Sequence, residues 1–150
     1  MALMGWLLDK SAAARAADPI VGRELAELAG QLYVCPVGEL EQLYSARSAR
    51  HYDQLQAELH ASLATVAAPP DLLERALALQ RDLAHHHGMW HRTPIPDLLI
   101  AETATHYNLR VLHVDRDYAR MPEVPCDSSL AAQAGPTLRF AVKVCRGGLE

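Results

Sequence analysis

The chain has 150 residues, of which 50% are apolar and 21% charged, as expected of one soluble globular domain large enough to bury a core. Its formal charge of −4, from 14 Lys plus Arg against 18 Asp plus Glu, excludes a protein that grips nucleic acid through a broad basic surface. It does not exclude an enzyme with a local acidic metal site rimmed by arginines, and all its cations except Lys10 and Lys143 are arginine, the better residue for bidentate phosphate contacts.

Gly5–Leu8 reads as a short buried strand and Ser11–Ala17 as helical. Asp18-Pro19 opens the next helix, with Asp18 as N-cap and Pro19 in the first position, and Gly30 closes it. Leu32–Cys35 is the second strand. Pro36 starts a helix with Val37, Leu40, Leu43 and Tyr44 at helical spacing. Ser48–Leu63 is a polar amphipathic helix whose inward stripe is Tyr52, Leu55, Leu59 and Leu63. Ala64–Pro70 is a break with room for a short extended segment, and Asp71–His86 is a long helix with Leu73, Leu77 and Leu83 among its apolar positions. Met89–Pro94 reads as a loop, Pro96 opens a helix reaching Asn108, and Arg110–Val114 is the third clear strand.

A turn and a short helical segment at Arg116–Arg120 follow. Pro122, Pro125, Gly135 and Pro136 then mark irregular chain, with an edge strand expected within Thr137–Val144. Strands alternating with helices imply a mostly parallel α/β sheet. The main domain is placed at residues 1–121, with 122–150 a C-terminal segment holding the last edge strand and a frayed or non-native end at Arg146–Glu150.

Cys35, Cys126 and Cys145 lack metal-ligand spacing and do not form a secreted disulfide framework; Cys35, in an apolar run, reads as a buried small hydrophobe. Met1–Leu8 has no cationic leader and is too short for a signal sequence, and no stretch approaches a transmembrane length. A cytoplasmic protein without membrane contact is expected.

Four acids stand at the boundaries of these elements: Asp9 after Gly5–Leu8, Glu41 beyond Leu32–Cys35, Asp97 at the start of its helix, and Asp115 after Val111–Val114. Each has an ordinary structural explanation. Asp97 follows a helix-opening proline, where the macrodipole favours a carboxylate. Asp9 can cap the next helix, Asp115 and Asp117 suit a turn, and Glu41 flanks the apolar stripe of its helix, while Glu39 points to another face and is expected in solvent. Together they can gather at the carboxyl edge of a parallel sheet, where open α/β folds bind ligands. Clustered carboxylates cannot all ionise without a cation, and an all-oxygen site suits Mg²⁺ or Mn²⁺.

His85, His86, His87 and His91 are read as a solvated helix end or RNA-facing loop rather than a zinc site, because Gly88 interrupts the helical spacing of His87 and His91. The chain has no glycine-rich dinucleotide fingerprint, phosphate loop or Gly-x-Ser-x-Gly elbow. Asp9-Lys10-Ser11 lacks the second Asp of an aspartyl phosphatase.

Four segments carry a resemblance: Leu7–Ala12, Glu39–Ser48, Ile95–Ala101 and His113–Tyr118. In order and spacing, over roughly Leu7 to Met121, the chain resembles the PIN-domain ribonucleases and, within them, the VapC toxins of toxin–antitoxin pairs. The resemblance implies a PIN-like α/β/α sandwich with a central, mostly parallel sheet. It assigns Asp9, Glu41, Asp97 and Asp115 as catalytic acids, with Asp9, Asp97 and Asp115 as metal ligands and Asp117 and Ser11 as auxiliaries. Glu41, three residues before Tyr44, is in the family's register and Glu39 is not. Two departures stand out: Gly38 replaces the family's frequent Ser or Thr, and the chain after Pro122 matches poorly.

The implied activity is Mg²⁺- or Mn²⁺-dependent endoribonucleolytic cleavage of structured cellular RNA by metal-activated water. Lys10, Arg47, Arg92 and Arg116 are the candidate substrate contacts. The implied partners are an inhibitory antitoxin and a second copy of the chain, with the helices Pro19–Ala29 and Ser48–Leu63 as candidate contact faces. Two other readings stand beside it: a PIN-like module that binds RNA or protein but cleaves weakly, and a metal-dependent phosphatase.

Overall fold

The computed structural model describes residues 5–86, 90–113 and 139–141. The chain begins β1 (Trp6–Leu8), α1 (Lys10–Ala13), α2 (Pro19–Glu27), β2 (Leu32–Val34), α3 (Pro36–Leu43), α4 (Ala49–Ser62) and β3 (Ala64–Thr65). It continues through α5 (Leu72–His86), a 3-10 turn at Trp90–Arg92, α6 (Ile95–Tyr107), β4 (Arg110–His113) and β5 (Arg139–Ala141).

The sheet order is β3-β2-β1-β4-β5, with the first four strands parallel and β5 antiparallel on the edge. Side chains alternate across a pleated strand, so β1, β2 and β4 each feed two cores. Leu7 and Val111 join Leu79 and Leu83 of α5 and Leu98, Ile100 and Ala104 of α6. Leu8, Val34 and Leu112 join Ala12 of α1 and Val21 of α2, with Leu28 just beyond it, on the other side. Helices cover both faces, which gives the expected α/β/α sandwich. Among the described residues no helix is long and apolar enough to cross a membrane.

Most elements fall where the sequence places them, including the short extended segment at Ala64–Thr65 and an edge strand within Thr137–Val144. The expected strand residue Val114 and helical segment Arg116–Arg120 lie outside the described residues. Helix α1 stops at Ala13 instead of reaching Ala17, because the chain tightens into turns with N–H to C=O bonds from Arg15 to Ala12, Ala16 to Ala13 and Asp18 to Arg15. That turn frees Asp18 to cap α2, where its Oδ1 accepts the Ile20 and Val21 N–H groups at 2.9 and 3.2 Å. Trp90–Arg92 forms a 3-10 turn in the expected loop, and α6 starts one residue before Pro96.

The apolar stripes of α3 and α4 hold in part. On α3 Leu43 is buried and Val37 packs against the core, while Leu40 and Tyr44 are 67% and 88% exposed. On α4 Leu59 packs against the core and Leu63, its C-cap, is buried, while Tyr52 is exposed. Gly38 lies on the buried side of α3, and Glu39 ties α3 to α4.

Candidate acidic site at the carboxyl edge of the sheet

Asp9 is the first residue past β1, and its N–H continues the β1–β4 ladder by donating to the Leu112 carbonyl at 3.0 Å. Its backbone stays extended and its carboxylate turns back to cap α1, with Oδ2 accepting the Ser11 N–H at 2.9 Å. Asp9 is 4% exposed. Helix α6 runs back across the sheet before turning into β4, so its first turn, carrying Asp97, lies at the same carboxyl edge as Asp9. There the Asp97 N–H bonds the Pro94 carbonyl at 3.0 Å. Helix α3 follows β2 and packs against both α1 and α6, which brings Glu41 to this edge.

Burial raises the pKa of Glu41, the negative charge of Asp9 raises it further, and Lys10 partly offsets both. Glu41 and Asp9, far apart in sequence, therefore share one electrostatic environment. Glu41 Oε2 is buried and accepts no hydrogen bond. A buried carboxylate oxygen without a donor, within the field of a second carboxylate, has the donor chemistry that a hard divalent cation satisfies. One turn before Glu41, Gly38 rests on the end of β1, and a Cβ built there would lie 3.6 Å from the Leu8 carbonyl oxygen. Burial also raises the pKa of the neighbouring Cys35 thiol, and the Gly38 and Val37 amides offset only part of the rise. Cys35 is therefore an inert, protonated core residue.

The structure thus brings Asp9 and Glu41 together and sets Asp97 on the same edge. Asp115, Asp117 and Arg116 lie outside the described residues, and among those described no three His, Cys, Asp or Glu side chains cluster closely enough to hold a metal. Ser11 contacts Asp9 through its backbone N–H. Lys10 is close enough to influence Glu41. Arg47 is exposed and lines a shallow, open cleft of about 470 Å³ with Leu43, Ala46, Tyr52 and Asp53. Arg92 is exposed in the 3-10 turn before α6.

Glu39 is not the solvated acid its position suggests: its Oε1 accepts Gln56 Nε2 at 3.0 Å and meets His60 Nε2 at 2.9 Å. His85 and His86 are exposed at the end of α5, as read from the sequence, and His87 lies outside the described residues. Among the described residues, four buried polar side chains escape the sequence reading, one of them Thr103, whose hydroxyl donates to the Leu99 carbonyl at 2.8 Å. Glu102, in the middle of α6, has Oε2 4.0 Å from Arg75 Nη1, and Glu24 is buried on α2. His113 is fully buried at the end of β4. Only His113 leaves a sequence signal, as a polar residue inside the apolar run Val111–Val114.

The family model of the PIN domain matches residues 2–124. Ribonuclease VapC17 of Mycobacterium tuberculosis is 55% identical over 122 residues, covering 79% of this chain and 88% of that protein. Ribonuclease VapC18 of the same organism is 41% identical over 124 residues, covering 81% and 90%. The fold matches a crystal structure of VapBC2 from Rickettsia felis bound to promoter DNA, with a TM-score of 0.66 at 16% identity over 79% of this chain and 94% of that one.

Proposed function

Since the chain belongs to the PIN-domain family, among its VapC proteins, we propose that it is a metal-dependent endoribonuclease toxin kept inactive by a cognate antitoxin. The observation that carries this reading is the Asp9–Glu41 pair at the carboxyl edge, with an acceptor oxygen of Glu41 left without a donor. Asp9 and Asp97 would hold Mg²⁺ or Mn²⁺, with Asp115 completing the set and Asp117 assisting. When bound, such an ion supplies positive charge to the phosphoryl oxygens in the transition state and makes water more acidic.

The protein's own residues do the remaining work. The Ser11 amide holds the Asp9 carboxylate in place, and Glu41 Oε2 accepts a proton from the attacking water and orients it towards phosphorus. Lys10 partly balances the acids, and Lys10, Arg47, Arg92 and Arg116 bind backbone phosphates of a structured RNA. The catalytic unit is residues 1–121, and residues 122–150 add the edge strand β5. Exposed Leu40 and Tyr44 on α3, and Leu73 and Leu77 on α5, give apolar contact surface for the antitoxin and for a second copy of the chain. The faces of α2 and α4 favoured by sequence offer less, with Ile20 and Tyr52 exposed.

The direct test incubates purified, partner-free protein with total RNA in Mg²⁺, in Mn²⁺ and in EDTA. Discrete fragments that require the metal are expected. Identical fragments in EDTA would contradict metal dependence.

A further inference from the structure

Helices α3 and α4 form the crossover from β2 to β3. Helix α3 starts at the carboxyl end of β2, and α4 ends directly before β3, which runs parallel to β2. Helix α4 therefore returns the chain from the carboxyl side of the sheet, and its first turn stands on that side. The elbow between the two helices holds the open cleft of about 470 Å³. Its lining begins at Leu43 and continues at Ala46, roughly 3–8 Å past Glu41 along a helical path at 1.5 Å per residue. The cleft is thus a neighbour of the acidic site, on the same side of the sheet.

Three unlike side chains meet in it: the Arg47 guanidinium, the Tyr52 ring and the Asp53 carboxylate. Tyr52 is 39% exposed, so part of its ring is covered and part is open to a ligand. Two bonds fix the elbow that carries them, the Arg47 N–H donating to His51 Nδ1 and the His51 N–H donating to Ser48 Oγ, each at 3.1 Å. Such bonding sets the backbone before a ligand arrives, which lowers the ordering cost of binding. Arg47 and Asp53 line one cleft with opposite charges, yet among the described residues neither side chain is spent in an ion pair.

A nucleotide presents the complementary pattern: an anionic phosphate, a flat π-face and a base edge carrying N–H donors. Unpaired RNA bases are read in this way, stacked on an aromatic ring and hydrogen-bonded along the free edge. An ionised carboxylate only accepts, and its two oxygens match two donors side by side. Of the four bases, guanine alone offers that pair, at N1–H and the N2 amino group. Adenine and cytosine present one donor beside one acceptor, and uracil one donor between two acceptors.

We infer that the α3–α4 elbow is a base-recognition subsite for an unpaired guanine near the scissile phosphate. Tyr52 stacks on the base, Asp53 accepts from its N1–H and N2–H groups, and Arg47 holds the adjoining phosphate. The inference rests on the nuclease reading above and deepens it, by naming the base that selects the cut.

The test has two arms, both on the whole chain. Tyr52 and Asp53 are exposed, so their variants are expected to fold, which thermal melts verify. The first arm measures binding, in EDTA, of short fluorescent oligouridylates carrying one central guanine, adenine or cytosine. Wild type should prefer the guanine oligomer by about tenfold. Tyr52→Ala should weaken every oligomer by about tenfold. Asp53→Asn, whose amide sets one donor beside one acceptor, should move the preference from guanine to adenine or cytosine. The second arm sequences the fragment ends of total RNA cut in Mg²⁺, where guanine is expected at one fixed position beside the cuts of wild type and not of Asp53→Asn. Equal affinity of wild type for all the oligomers, or a guanine preference retained in Asp53→Asn, overturns the inference. Guanine-selective binding that depends on Asp53, with no RNA cleaved, supports the subsite and sinks the nuclease reading alone.

Discussion

The negative charge of Asp9 raises the cost of ionising Glu41 at the carboxyl edge of the sheet, although Glu41 lies on α3 and Asp9 follows β1. The visible consequence is the upward shift of Glu41, caused first by burial and then by the Asp9 charge. For an acid whose folded pKa exceeds its unfolded value, the folded state binds the extra proton. Stability from this group is therefore greatest below the ordinary value of 4.5 and falls as pH rises through the higher folded value. Glu41→Gln should melt higher than wild type at pH 7 and gain less at pH 4. Equal gains at both pH values would show that the Glu41 charge is not what strains the site.

The two glutamates of α3 should separate cleanly. Glu39 accepts Gln56 and His60 from α4, and a typical hydrogen bond contributes about 0.5–1.5 kcal/mol. Glu39→Ala should lower unfolding free energy by about 1 kcal/mol and leave RNA cleavage near wild type. Glu41→Ala should do the reverse. Cleavage lost in Glu39→Ala with stability intact would exchange the two roles.

Gly38 offers a third measurement. A Cβ there would meet the Leu8 carbonyl oxygen at 3.6 Å and Val34 Cγ2 at 3.7 Å, ordinary contacts that need no movement. Glycine inside a helix costs roughly 0.5–1 kcal/mol relative to alanine. Gly38→Ala should therefore stabilise the protein by about that amount in a denaturant titration. Destabilisation by Gly38→Ala would mean that α3 sits closer to β1 than these distances indicate.

The arginines predict a salt dependence. If Arg47 and Arg92 each neutralise one RNA phosphate, replacing both with alanine should reduce the slope of log affinity against log salt by about 1.4, at roughly 0.7 per contact for single strands. An unchanged slope would assign both to solvent or to ion pairs within the protein.

The elements that set the architecture were legible because their signals are local. Asp18-Pro19 announces a cap and the first turn of α2, and Val111-Leu112 announces a buried strand. Asp9 and Asp97 were legible as edge acids because one caps α1 and the other stands in the first turn of α6. What the sequence could not supply was the direction each helix faces. Val37, Leu40, Leu43 and Tyr44 form the apolar stripe of α3 by spacing, yet Val37 and Leu43 turn to the core and Leu40 and Tyr44 to solvent, because α3 must pack against α1 and α6. For the same reason Glu39 looked solvated: its partners Gln56 and His60 come from another helix.

The most direct measurement compares wild type with Asp97→Asn on total RNA in Mg²⁺, after thermal melts show that both are folded. Asp97 lies in the first turn of α6, where the amide variant keeps shape and loses charge. Discrete cleavage by wild type and none by Asp97→Asn is the predicted result. Equal cleavage by both would contradict the acidic site, and no cleavage by folded wild type would make the protein a binding module.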